Sequence, residues 1–112
     1  MVTALETAPE QIPLEAFLFV SAIIFSLGVY GVLSRRNAVQ ILMSVELMLN
    51  AVAVNFVAFA VYTDPELFRG LVFGVFVIII AAAEVGLALG IILRLFRNRG
   101  TANVDEVATL KW

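Results

Sequence analysis

AVQILMSVELMLNAVAVNFVAFAVY, residues 38–62, is an apolar run interrupted by one carboxylate, Glu46, and two amides, Asn50 and Asn55. About twenty helical residues, each rising 1.5 Å, cross a hydrocarbon core of about 30 Å, so this run spans a bilayer with length left over for tilt. A shorter run precedes it, from Leu14 to about Leu33. Another follows, from about Gly70 to Phe96, interrupted by Glu84 and Arg94. In lipid every backbone N–H and C=O needs a partner, and three segments of this length cannot close a barrel, so helices are the one reading left. The expected fold is all-α and integral to the membrane, with three transmembrane helices over residues 14–33, 38–62 and 70–96. They form a single membrane domain, 1–112, flanked by a polar N-terminal segment 1–13 and a tail 97–112.

Composition sets what such a chain can do. Of 112 residues 62% are hydrophobic and 14% charged, and three spans leave about forty residues for all loops and tails, too few for a soluble catalytic domain. With neither Cys nor His, thiol chemistry, iron–sulfur ligation, the usual zinc sites and histidine-ligated haem are all excluded. No catalytic residue, cofactor or metal is therefore expected on this chain, and any redox chemistry belongs to another. The start lacks the basic residues and the small-residue cleavage site of a secretory signal, so the first run reads as an uncleaved span. The expected partners are lipid and other membrane subunits, not nucleic acid.

Charge orients the helices. Arg35 and Arg36 lie in the first loop, and Arg94, Arg97, Arg99 and Lys111 lie at or beyond the end of the third span. Only Arg69 falls on the opposite side, beside Asp64 and Glu66, and the N-terminal segment carries Glu6 and Glu10 with no Lys or Arg. The positive-inside rule then places the N-terminus outside and the C-terminus inside. Asn37 is available as the N-cap of the second helix, and Thr63-Asp64-Pro65-Glu66 is a turn whose proline cannot continue it. The tail after Arg99 is short and mixed in charge, and is expected to fray or to make loose surface contact rather than to dock onto a neighbour.

Glu46 and Glu84 are the informative residues. An acid at the middle of a span costs roughly 2.5 to 3.5 kcal/mol on insertion scales, so an intramembrane carboxyl is a functional site by default. Glu46 lies about 12 Å from the start of its helix and Glu84 about 18 Å from the end of its own, which puts them within roughly a turn of each other in height. Antiparallel neighbours sit about 8 to 10 Å apart, close enough for two acids to exchange a proton through one or a few waters. Desolvation and a second carboxylate both favour the protonated form of an acid, the property on which proton paths draw. The competing reading is structural: a protonated glutamate as interhelical hydrogen-bond glue, or one paired with an arginine of a neighbouring chain. Asn50 shares the Glu46 face and supports its carboxyl or a water, or simply packs; Asn55 is on the opposite face and reads as structural. Ala82, Gly86 and Gly90 repeat at four-residue spacing and Gly70 and Gly74 form another small pair, so the third helix has a face suited to close approach of another backbone. Glu84, with Ala81 and Ala88, defines a second face, and one of the two is expected against a different subunit.

Taken together, SRRNAVQILMSVELMLNA (residues 34–51) and IAAAE ending at Glu84 resemble the small three-helix subunit K, also called 4L, of NADH-quinone oxidoreductase, over about Leu18 to the end. Arg69-Gly-Leu-Val-Phe and the ending Arg97 to Trp112 are most similar to the cyanobacterial and chloroplast form, which reduces plastoquinone with electrons from ferredoxin. The resemblance implies a subunit of a redox-driven proton pump in a thylakoid or bacterial inner membrane, with the N-terminus in the periplasm or lumen and the C-terminus in the cytoplasm or stroma. It assigns Glu46 and Glu84 to the proton path, makes Arg35 and Arg36 the family's basic loop, and places flavin, iron–sulfur clusters and quinone on other subunits of the membrane complex. Three departures stand out. Gly86-Leu87-Ala88 begins two residues after Glu84 rather than four, Ala53 replaces a frequent asparagine on the Glu46 face, and the segment before Pro13 exceeds the usual short start. A small subunit of a cation/proton antiporter and a purely architectural subunit are the alternative readings.

Overall fold

Three helices follow one another in the computed structural model, which describes residues 12–63, 66 and 68–106: α1 Leu14–Ser34, α2 Ala38–Thr63 and α3 Arg69–Arg99. Glu6, Glu10, Asp64, Pro65, Lys111 and Trp112 lie outside the described residues. At 1.5 Å per residue the helices measure about 31, 39 and 46 Å, and each is long and apolar enough to cross a membrane. The chain is a multi-pass membrane protein.

Local chemistry sets the helix ends. Pro13, extended at φ −66° and ψ 150°, leads into α1, and its carbonyl accepts the Ala16 N–H at 3.1 Å. At the start of α2 the Asn37 side chain accepts the Val39 N–H at 2.9 Å while its carbonyl accepts the Ile41 N–H at 3.0 Å, the N-cap geometry its sequence position suggests. α3 ends at Gly100, left-handed at φ 70°, whose N–H donates to the Phe96 carbonyl at 2.7 Å. Loss of apolarity places the end of the third span at Phe96, yet the helix runs on through Arg99. Apolarity marks where a helix leaves lipid, whereas a helix in water continues until a residue such as glycine terminates it.

α2 is the middle helix, packed against α1 along one side and α3 along the other. On the α1 side Gly28 and Gly31 face Ser44 and Met48, and a Cβ at Gly28 would lie 2.8 Å from the Ser44 carbonyl oxygen, closer than real side chains come. Ser21, 2% exposed, donates to Asn55 Oδ1 at 2.5 Å, with the Leu18 carbonyl 3.0 Å away as a second acceptor. Toward the far end Phe17 and Tyr62 tilt together at 6.2 Å, and the Tyr62 hydroxyl donates to the Ile12 carbonyl. On the α3 side a Cβ at Gly70 would lie 2.7 Å from the Phe56 carbonyl, Gly74 sits over Val57 and Ala53, and the Phe56 and Phe73 rings stack at 5.9 Å. Among the described residues the buried hydrophobic ones are alanines: Ala51, Ala53, Ala58 and Ala60 on α2 and Ala81 on α3. Large apolar side chains such as Phe19, Leu33, Val72 and Leu87 point outward. This distribution suits lipid, where no hydrophobic force draws helices together and close backbone packing with interhelical hydrogen bonds must do so.

Of the two expectations for the tail, fraying or surface contact, its described residues 101–106 show contact. After Gly100 the chain turns back, and Asn103 pairs antiparallel with Asn37. The Ala38 N–H donates to the Ala102 carbonyl at 2.9 Å, the Val104 N–H donates to the Arg36 carbonyl at 3.1 Å, and Arg36 Nε lies 3.3 Å from Asp105 Oδ2. The cause is local: the first N–H groups of any helix lack intrahelical acceptors, and the tail supplies one to Ala38.

Candidate functional site

Two carboxylates interrupt the apolar surfaces of α2 and α3, and the α2–α3 seam sets how they stand to each other. Gly70 faces Phe56 and Ala60, and Gly74 faces Ala53 and Val57. Continuing that antiparallel register at 1.5 Å per residue brings Glu84 level with about Val45, within one turn of Glu46. Rotation separates their surroundings. Glu46 is two turns, seven residues, from Ala53, which is 7% exposed and lies under Gly74, so Glu46 occupies the α3-facing side of α2 and is half-buried. Glu84 is three residues past Ala81, which is 5% exposed; that step is about 60° around the helix, so Glu84 stands on the rim of the seam and is exposed on this chain alone.

The opposite rim has its own character. Ile78 lies about 60° to the other side of Ala81, and it lines with Asn50, Ala53, Val54 and Val57 a hollow of about 480 Å³ that reaches Phe17 of α1. Asn50 is the polar side chain at its edge, one turn from Glu46 on the same face of α2. The three groups thus span the seam in order: Asn50 at one rim, Glu46 within, Glu84 at the other.

The expected second face of α3 is divided by the structure. Ala81 is buried and Ala88 half-buried, while Glu84 beside them is exposed. Ala82, Gly86 and Gly90 point away from α2, and a Cβ at Gly86 or Gly90 would meet nothing within 4 Å. A shallow groove of about 500 Å³ follows that outer face past Gly86, Gly90, Arg94 and Asn98. Arg35 and Arg36 are both exposed at the α1–α2 connection, Arg36 turned to Asp105. Sequence reasoning did not find two contacts: the Ser21–Asn55 hydrogen bond and the Asp105–Arg36 ion pair. The first was signalled by a serine and an asparagine in facing apolar runs. The second had no signal beyond opposite charges at the same end of the molecule.

Three apolar helices around an alanine-lined seam, with an acid inside it and another on its rim, define a small multi-pass membrane protein with a carboxyl in each of its last two spans. The family model for NADH-ubiquinone/plastoquinone oxidoreductase chain 4L matches residues 16–112. Subunit 4L of the NAD(P)H-quinone oxidoreductase of the Paulinella chromatophora chromatophore is 52% identical over 90% of this chain and 98% of its own length. The chloroplastic subunit 4L of Staurastrum punctulatum is 48% identical over 88% and 99%. Subunit K of the NADH-quinone oxidoreductase of Desulfitobacterium hafniense is 46% identical over 91% and 97%. The chain belongs to the 4L family, as the resemblance of its second and third spans implies.

Proposed function

We propose that this chain is a membrane-arm subunit of a proton-pumping, quinone-reducing oxidoreductase, and that Glu46 and Glu84 pass protons sideways across the α2–α3 seam. The observation that carries the reading is the pair itself: two acids within a turn of height, one in the seam and one on its rim. Protons reach Glu46 from the Asn50 side, transfer to Glu84 through water between the helices, and leave toward whatever faces the exposed rim. This chain holds and moves protons at two carboxyls; it offers neither thiolate nor imidazole, so flavin, iron–sulfur clusters and quinone sit on companion subunits of the complex. The relatives' names support that division, since each is called a subunit of an NADH- or NAD(P)H-quinone oxidoreductase. The outward Ala82, Gly86 and Gly90 face receives a helix of a neighbouring subunit, since small residues let backbones approach closely in lipid. Arg35 and Arg36 mark the cytoplasmic or stromal side, where protons are taken up.

The test is Glu46→Gln and Glu84→Gln, each in the assembled complex. Gln keeps the shape of Glu and cannot carry a proton. Proton translocation is expected to fall about a hundredfold, the low end of what a positioned proton carrier contributes, with the amount of assembled complex unchanged. Normal translocation in both variants rejects the relay, and loss of assembly supports the architectural role. Exchange of Na⁺ for H⁺ without an electron donor identifies an antiporter instead.

A further inference from the structure

The basic end of the molecule is closed by a segment that the relay does not use. Gly100 stops α3 in the left-handed conformation, Thr101 Oγ1 accepts the Asn103 N–H at 3.1 Å, and the chain turns to run antiparallel to residues 36–38. Two backbone hydrogen bonds, Ala38 N–H to Ala102 carbonyl and Val104 N–H to Arg36 carbonyl, and the Arg36–Asp105 pair tie the end of α3 to the start of α2.

The tie falls at the end of the seam away from its close glycine contacts. The positions of α3 where an added Cβ would come within 3.0 Å of an α2 atom, Gly70 and Gly74, are both in the half of α3 nearest Thr63. With no hydrophobic force between helices in lipid, the basic half of α3 relies on a buried to half-buried apolar stripe, Ala81, Val85, Ala88, Ile92 and Leu95, with no side-chain hydrogen bond to α2 among the described residues to fix its height and rotation. Sliding by one residue moves a side chain about 1.5 Å along the axis and turns it about 100°, enough to swing Glu84 off the rim it shares with Glu46.

We propose that residues 101–106 are a strap that fixes α2 and α3 in register at their basic ends, and that Val104 and Asp105 are positioning residues for the Glu46–Glu84 pair. The positioning role rests on the relay reading; the strap itself does not.

Both parts are tested in the intact complex. Val104→Pro removes the N–H that donates to the Arg36 carbonyl, and Asp105→Arg sets two cations against each other. Hydrogen exchange at the Ala38 amide is expected to quicken about fivefold or more in each, the effect of losing one hydrogen bond's net contribution. Protons translocated per electron should fall severalfold while the amount of complex stays constant, and the exchanged pair Arg36→Asp with Asp105→Arg should restore both readouts. Unchanged exchange at Ala38 in both variants overturns the strap. Faster exchange with an unchanged proton-to-electron ratio overturns the positioning role, and so does a lower yield of complex whose ratio is normal. Should Val104→Pro fail to assemble, Asp105→Arg and its exchanged pair decide the same question. Normal pumping in Glu46→Gln and Glu84→Gln rejects the relay separately, and the Ala38 amide still reports on the strap.

Discussion

Glu46 and Glu84 carry the same chemistry in different surroundings. The half-buried acid has its neighbours within the chain, whereas the exposed one cannot be left facing lipid, where a carboxyl is costly, and so needs a neighbouring subunit or a hydrated cavity. The two asparagines of α2 divide in the same way. Asn50 opens on the hollow beside Glu46, while Asn55 is committed to Ser21 across the α1–α2 contact. Replacing each with Leu separates transport from stability. Asn50→Leu is expected to slow proton translocation about tenfold, roughly one hydrogen bond's worth of barrier, with little effect on resistance to unfolding in detergent. Asn55→Leu is expected to lower stability by about 0.6 to 1.7 kcal/mol, the range for interhelical hydrogen bonds in membranes, and to leave the rate per assembled complex unchanged. A reversed pattern, with Asn50→Leu unfolding the chain and Asn55→Leu slowing transport, removes Asn50 from the path.

Among the elements, glycines fall into two sets that composition does not distinguish. Gly28, Gly31, Gly70 and Gly74 lie where α1 or α3 meets α2, and at Gly28 and Gly70 the atom in the way of a Cβ includes a backbone carbonyl, which cannot swing aside. Gly28→Ala and Gly70→Ala are therefore expected to destabilise the isolated chain by about 1 to 3 kcal/mol, the usual cost of overpacking, measured by unfolding in detergent. Gly86→Ala and Gly90→Ala should leave the isolated chain within about 0.5 kcal/mol and lower the yield of assembled complex instead. Equal destabilisation of the isolated chain by all four would remove the distinction. The helices themselves were legible from apolar length, and the acids from their cost in lipid. Which small face meets α2 was not legible: the steps of Gly70–Gly74 and of Ala82–Gly86–Gly90 have equal spacing, and only the antiparallel register of α2 chooses between them. The strap was illegible for another reason. Its bonds are mostly main chain to main chain, so residue identity carries little of the pattern beyond Asp105, Asn37 and Gly100.

For the molecule as a whole, the strap and the first loop gather Arg35, Arg36, Arg97, Arg99 and Asp105 at one end, and Arg69 and Glu66 stand at the other. Pairing with Asp105 does not weaken the orienting signal, since Asp and Glu contribute little to the positive-inside bias. The basic end is expected to face the cytoplasm or stroma, with Glu46 and Glu84 at nearly equal distance from it. The chain has no native cysteine, so single replacements report topology cleanly. In sealed membranes oriented with the periplasmic or lumenal face outward, a membrane-impermeant maleimide should label Glu66→Cys at once and Asn98→Cys only after the membrane is opened. The opposite order, with Asn98→Cys labelled first, reverses the orientation and places proton uptake and release on exchanged sides. Glutamine at both Arg35 and Arg36 adds a second reading of the same physics. With two of the six basic residues of the inner side gone, a fraction of newly made chains expressed without partner subunits should insert inverted. An unchanged labelling order in that variant would mean that Arg94, Arg97, Arg99 and Lys111 suffice to hold the third helix, and with it the first two.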